Sequence, residues 1–192
     1  MVLANIWVVN AIGDEISAIE PVNDSVQFAT IARDKVKVFA HDLKSSLLAA
    51  IQEGGLEKGI TVCKDVAPSI ADSLSTPGWK VSRTSLRVRN INNAPDNWER
   101  SVLQDFDKLQ REGSKPDSLT RLSQQQGQTI TYRYMQAIPT GNLCLSCHGE
   151  KLSPKVQSAI DLNYPADKAI GFKSGDIRGA FSLKFSPNEA TD

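Results

Sequence analysis

From residue 28 onward, apolar side chains recur every three or four positions: Phe28, Ala32, Val36, Phe39, Leu43, Leu47 and Ala50. That period is one stripe of a long helix. Asn23-Asp24-Ser25 supplies a capping sequence, and Gly54-Gly55 supplies a stop. A second series, Ile60, Cys63, Ala67, Ile70 and Leu74, predicts a second helix, which Pro68 should kink or split. Thr76-Pro77-Gly78 reads as a turn. Residues 79–90 then change to a period of two, with Thr84, Leu86 and Val88 on one face and Arg83, Ser85, Arg87 and Arg89 on the other. Trp98, Val102, Phe106 and Leu109 mark a third amphipathic helix. Residues 129–138 predict a second strand, with Ile130, Tyr132, Tyr134 and Ile138 on one face, and the polar run 123–128 before it reads as an exposed bend. A short helix is expected near 154–161. A last strand is expected over 178–185, with Phe181, Leu183 and Phe185 on one face. Helices first, then strands interrupted by helices, predict an α+β domain with an antiparallel sheet.

The length of 192 residues fits one domain. The pattern divides it into an N-terminal segment 1–22, a single domain 23–186 and a polar tail 187–192. Residues 2–12 are mostly apolar but lack a basic flank; they read either as the trimmed remnant of a signal or anchor or as a first helical turn. Lys and Arg number 22, as do Asp and Glu, so no cationic excess is available to hold nucleic acid. No run of 18 apolar residues is present to span a bilayer. Three cysteines do not make a disulfide framework.

Two of those cysteines change the picture. Cys144-Leu145-Ser146-Cys147-His148 is the C-x-x-C-H attachment sequence of c-type haem. Its thiols, three residues apart, can each form a thioether with one haem vinyl group, and the adjacent histidine is placed to ligate iron. Two other chemistries use similar residues. A thioredoxin-like dithiol needs a helix opening after the first cysteine, whereas Gly149-Glu150-Lys151 and Ser153-Pro154 follow here. A zinc site needs four ligands, which Cys63, Cys144, Cys147 and a histidine could supply, but without a second paired cluster. The haem reading accounts for the spacing best.

One axial position then remains beside His148. Met135, His41 and Cys63 are the candidates, or the position is open. Met135 is expected to be core filler, and His41, off the apolar stripe beside Asp42, is expected to be solvated. Cys63 lies within the apolar series and faces inward, either as a small buried hydrophobe or as a ligand. Lys64 beside it diverges by about 100° on a helix and should have little effect on the thiol.

The stretches GGLEKGITVCKDVAPSIA, GWKVSRTSLRVRNINNAPDNWE, CLSCHG and YPADKAIGFKSGDIRGAFSL, in this order, resemble a bacterial family of haem domains with a PAS-like fold. Its members stand alone in cyanobacteria and serve as sensor modules of histidine kinases elsewhere. The resemblance implies a PAS-like antiparallel sheet with long N-terminal helices and one covalent haem c per chain. It also implies Cys63 of the V-C-x-x-x-A-P segment as the distal ligand, His148 as the proximal ligand, and Cys144 and Cys147 as the thioether cysteines. Arg83 and Arg87 are candidates to pair with haem propionates, since a guanidinium matches a carboxylate bidentately; Arg89 is expected to be solvated on the sheet face.

Thiolate ligation stabilises ferric iron and lowers the potential. The expected function is therefore a redox-responsive or gas-responsive sensor, with a diatomic gas as a ligand of the ferrous state and a redox or signalling protein as partner. A low-potential electron carrier is the alternative, and a haem enzyme such as a peroxidase the third reading. Haem attachment to C-x-x-C-H follows export, so the expected location is the periplasm or thylakoid lumen.

Overall fold

The computed structural model describes residues 25–127 and 129–187. The expectations for residues 1–22, for the cap at Asn23-Asp24 and for the tail beyond residue 187 lie outside these residues. Helix α1, Ser25–Thr61, is broken at Gly54 and Gly55, where the latter adopts φ 75°. This is the left-handed backbone that glycine tolerates and other residues do not. The expected stop is therefore a sharp bend that starts a new helical run. That run does not pass smoothly into α2, Ala67–Leu74. Residues Val62–Val66 form a π turn between them. Pro68 sits in the first turn of α2, where its missing N–H costs little. The register change that absorbs it is the π turn, and Cys63 lies on that turn.

Four strands form one antiparallel sheet in the order β1-β4-β3-β2. They are β1 (Trp79–Thr84), β2 (Thr120–Gln126), β3 (Ile130–Pro139) and β4 (Ile177–Phe185). Two strand expectations are corrected. The strand begun at residue 79 ends at Thr84, because Ser85 to Asn90 leave the sheet to build the wall of a cavity. The polar run 123–126 is not a bend but part of β2, an edge strand paired to β3 over Thr120–Gln126. Its polar sequence suits an edge that must resist further pairing.

The alternation in β3 and β4 divides the core. Tyr132, Tyr134, Phe181, Leu183 and Phe185 face α1, packing with Phe28, Ala32, Val36 and Phe39. Met135, Ala137 and Ala180 face the other way, against Val102, Leu103 and Phe106 of α3, Asn97–Arg111. Two further helices complete the fold: α4, Asn142–His148, and α5, Pro154–Asn163. Ile60 at the end of α1 packs on Val156, Ile160 and Tyr164, which ties α5 to the helical hairpin. The molecule is α+β, as the pattern predicts. Among the described residues, no helix is long and apolar enough to cross a membrane.

Candidate functional site

The C-x-x-C-H residues are all on α4, a helix of seven residues. No helix follows the motif directly, as Gly149-Glu150-Lys151 predicts; the motif itself is helical and the helix ends on it. Gly149 ends it: a Cβ there would lie 2.5 Å from the Leu145 carbonyl oxygen, so no larger residue fits without moving backbone. The segment 169–172 then runs beneath the motif. Phe172 N–H donates to the His148 carbonyl and Gly171 N–H to that of Gly149, each at 2.9 Å.

This brace also orients the imidazole. His148 Nδ1 lies 2.7 Å from the Ala169 carbonyl oxygen, which can only accept, so Nδ1 carries the proton and Nε2 presents a lone pair. Burial holds the His148 pKa well below the ordinary imidazole value. Repulsion from Arg178 and Arg89 pushes the same way, while the Ala169 hydrogen bond opposes it. A neutral imidazole with a fixed tautomer is the form that ligates a metal.

Cys144, Cys147 and His148 open onto a cavity of about 1160 Å³, including its mouth. One wall is apolar, formed by Leu43, Leu47, Ile51 and Ile60 of α1 with Ile138 of β3. Cys63 joins this wall from the π turn. Its inward position follows the predicted spacing, and the cavity, rather than a packed core, is what it faces. Burial raises the Cys147 thiol pKa; nearby Arg89 opposes, while Cys63 and Cys144 add to the rise.

The polar wall carries Arg83, Arg89 and Arg178. Arg83 reaches it from β1, with its guanidinium 5.5 Å from the Phe39 ring centre. Burial lowers its pKa, against the pull of Cys63 and Tyr164. Arg178, at the start of β4, is pushed down to about 10 by burial and by Arg89 and Arg83. Among the described residues, neither Arg83 nor Arg178 forms a salt bridge. Arg178 was missed by sequence reasoning. Strict alternation groups it with Ala180 and Ser182 on the α3 face, and nothing in the pattern reveals that it lines this cavity.

Arg89 corrects another expectation. It is buried rather than solvated, with a two-point bond to Asp167, Nε–Oδ1 at 3.2 Å and Nη2–Oδ2 at 3.0 Å. It also donates from Nη2 to the carbonyls of Cys147 at 2.6 Å and Ala169 at 3.3 Å. It therefore ties the motif helix to the brace under His148. Arg87 does not line this cavity. Its guanidinium stacks 3.5 Å from the Phe172 ring centre and donates to the Ile170 carbonyl, on the far side of Ser85. Met135 is fully buried against α3, and His41 is exposed on α1; neither lines the cavity.

The donor set fits haem better than zinc. Among the described residues, no three Cys, His, Asp or Glu side chains gather as a metal cluster. A cavity with apolar faces, two thiols for thioethers, one lone pair, a facing thiol and two half-buried guanidiniums without carboxylate partners matches a flat apolar ring edged by two carboxylates.

A solved structure described as that of the cyanobacterial haem protein Tll0287 aligns with this chain at a TM-score of 0.54 and 26% identity, covering 80% of this chain and 93% of that one. A search of curated proteins gives no significant match. The profile of the Tll0287-like family matches residues 14–186. That span holds the hairpin that carries Cys63, the whole sheet, the motif helix and its brace, and the chain belongs to the Tll0287-like family.

Proposed function

We propose that this protein binds one haem c covalently through Cys144 and Cys147, with His148 and Cys63 as axial ligands, and works as a redox-responsive or gas-responsive sensor module. The observation that carries the reading is the convergence of C-x-x-C-H, a separate cysteine and two guanidiniums without carboxylate partners on one largely apolar cavity. The structural neighbour is described as a haem protein, which supports the same cofactor here. Haem bound in this cavity would supply one-electron exchange between ferric and ferrous iron, at low potential under thiolate ligation.

The remaining work falls to side chains. The Ala169 carbonyl holds the His148 ring, and Arg89 holds Ala169 in place. Arg83 and Arg178 offer charge-assisted hydrogen bonds to two propionates. Leu43, Leu47, Ile51 and Ile60 would exclude water from a haem held there. The position of Cys63 favours a sensor over an electron carrier. A carrier gains from a rigid ligand, whereas a π turn is a register defect that can shift along a helix and frequently marks a functional site. The reading includes a diatomic gas as a ligand of the reduced protein, and an exported location, periplasm or thylakoid lumen.

Absorption and EPR spectra of the ferric protein, with haem staining of a denaturing gel, test this directly. A stained band at the chain mass and a low-spin thiolate signal are expected. A colourless protein, or a haem that leaves the chain on denaturation, overturns the covalent assignment. Carbon monoxide difference spectra of the reduced protein test the gas ligand, and an unchanged spectrum removes it.

A further inference from the structure

The face of the sheet turned toward α3 is only half covered. Over Met135, Ala137 and Ala180, α3 packs as a normal second layer. Beyond it the face lies open as a groove of about 1080 Å³, including the part open to solvent. The groove floor is a row of cations across three adjacent strands. Lys80 of β1 is the register partner of Lys184 of β4, and Lys184 is the register partner of Arg133 of β3. Like charges at directly opposed positions repel, so this row destabilises the isolated sheet.

The acids nearby relieve it only at Arg133. Asp96 and Glu99, at the entry to α3, face the groove, and all four of their carboxylate oxygens are engaged. Asp96 accepts from Glu99 N–H and from Arg133 Nη2. Glu99 accepts from Asp96 N–H and from Ser182 Oγ, and it lies 3.5 Å from Arg133 Nη2. Among the described residues, neither Lys80 nor Lys184 forms a salt bridge. Arg133 itself is held in place, its guanidinium 4.3 Å from the Trp98 ring centre and its Nε buried without an acceptor, so the two exposed lysines are the cations of the row free to meet a ligand. A buried donor without a partner costs about 1–3 kcal/mol.

We propose that this groove binds a small organic anion with at least two negative charges, such as a dicarboxylate or a phosphate ester. Two unpaired ammonium groups one strand apart call for two negative charges, and Ser82, Thr131 and Gln125 offer hydrogen bonds to its neutral oxygens. A protein partner is the poorer fit. Stable protein interfaces have an apolar centre, and Ala94 is the only apolar residue of the described lining. Arg83 and Thr84 belong to the walls of both this groove and the main cavity, so the site adjoins it. The binding itself does not depend on what fills the main cavity.

Calorimetric titration of the purified holoprotein with succinate and, separately, with glycerol phosphate tests the proposal, with acetate as the singly charged control. At least one dianion should saturate a single site, at least tenfold more tightly than acetate and more weakly as salt rises. The Lys80→Gln/Lys184→Gln pair should lose tenfold or more in affinity. Both lysines are exposed and face each other, so a melting temperature equal to or above that of the parent is expected and shows the fold intact. A Lys44→Gln/Lys155→Gln pair, at exposed positions on α1 and α5, should bind as the parent does. No saturable binding, or an equal loss in both pairs, overturns the proposal. So does binding of polyglutamate with no binding of either small dianion, which would make the groove a dock for an acidic protein segment.

Discussion

His148 receives its orientation from residues that sequence reasoning cannot connect to it. Its acceptor, Ala169, lies 21 positions away, and the group that fixes Ala169 is Arg89, still farther along the chain. The motif itself is legible because its chemistry fixes the spacing, and Cys63 is legible as inward-facing because helical period places it there. Arg89 and Arg178 are not legible, since strand alternation describes only where a side chain starts and not how far a long one reaches. Two predictions belong to this scale. Cys63→Ser should keep covalent haem but abolish the ferric thiolate signal and raise the midpoint potential, because an alcohol ligates ferric iron far more weakly than a thiolate. Unchanged spectra and potential would make Cys63 a plain lining residue. Asp167→Asn should destabilise the protein by about 3–5 kcal/mol in denaturant unfolding. It leaves the Arg89 charge without its partner in a pair whose side chains are only 6% and 8% exposed. A loss below about 1 kcal/mol would show that the pair is solvated in solution.

At the scale of elements, the sequence reads well where one face is buried and poorly where a strand is an edge or a cavity wall. Tyr132, Tyr134, Phe181 and Leu183 alternate because one side of their strands meets α1. The strand β2 has no such contrast: apart from the exposed Leu122, Thr120 to Gln126 are polar on both faces, so nothing in the run separates it from a loop. Residues 85–90 show the reverse error, alternating like a strand while serving as a cavity wall. Helix α3 is the clearest element, and its start carries a full capping box between Asp96 and Glu99. Burial alone would raise the Asp96 pKa, but hydrogen bonds from Glu99 N–H and Arg133 outweigh it, and the net shift is downward. A depressed folded pKa contributes stability that is present above the unfolded value, about 3.9, and is lost as pH falls through the folded value. Asp96→Ala should therefore cost about 1 kcal/mol at neutral pH, most of it the cap, because the side chain is 52% exposed and its ion pair is screened. The gap between variant and parent should begin to narrow only below about pH 4 and go on narrowing toward about pH 2. A gap as wide at about pH 2 as at neutral pH would assign the loss to packing rather than to the charged cap.

At the scale of the whole molecule, the cavity joins two distant parts of the chain. Cys63 comes from the helical hairpin, and Cys144 to His148 come from beyond the third strand, while the sheet with its two aromatic and aliphatic cores lies beside both. A ligand bridging Cys63 and His148 therefore holds the π turn against α4, and weakening that bridge should be felt first in the elements with no other tie. Ferrous iron carries less positive charge than ferric iron, so in the proposed complex reduction would weaken a bond to the Cys63 thiolate more than one to neutral His148. The π turn should then loosen, while α2 stays docked on the sheet through Ile70, Ala71 and Leu74. The movement should pass to α5 through Ile60, Val156, Ile160 and Tyr164, the cluster that packs the end of α1 on α5. The sheet should not follow, because Phe28, Val36 and Phe39 hold the long arm of α1 on it independently. Amide hydrogen exchange on the ferric and ferrous protein measures this. Faster exchange in the reduced state is expected over residues 56–66 and 154–164, with α2, β3, β4 and α3 unchanged. Identical exchange in both states would make the protein an electron carrier with a rigid site. Faster exchange throughout the sheet would mean that the haem supports the entire fold rather than one movable arm.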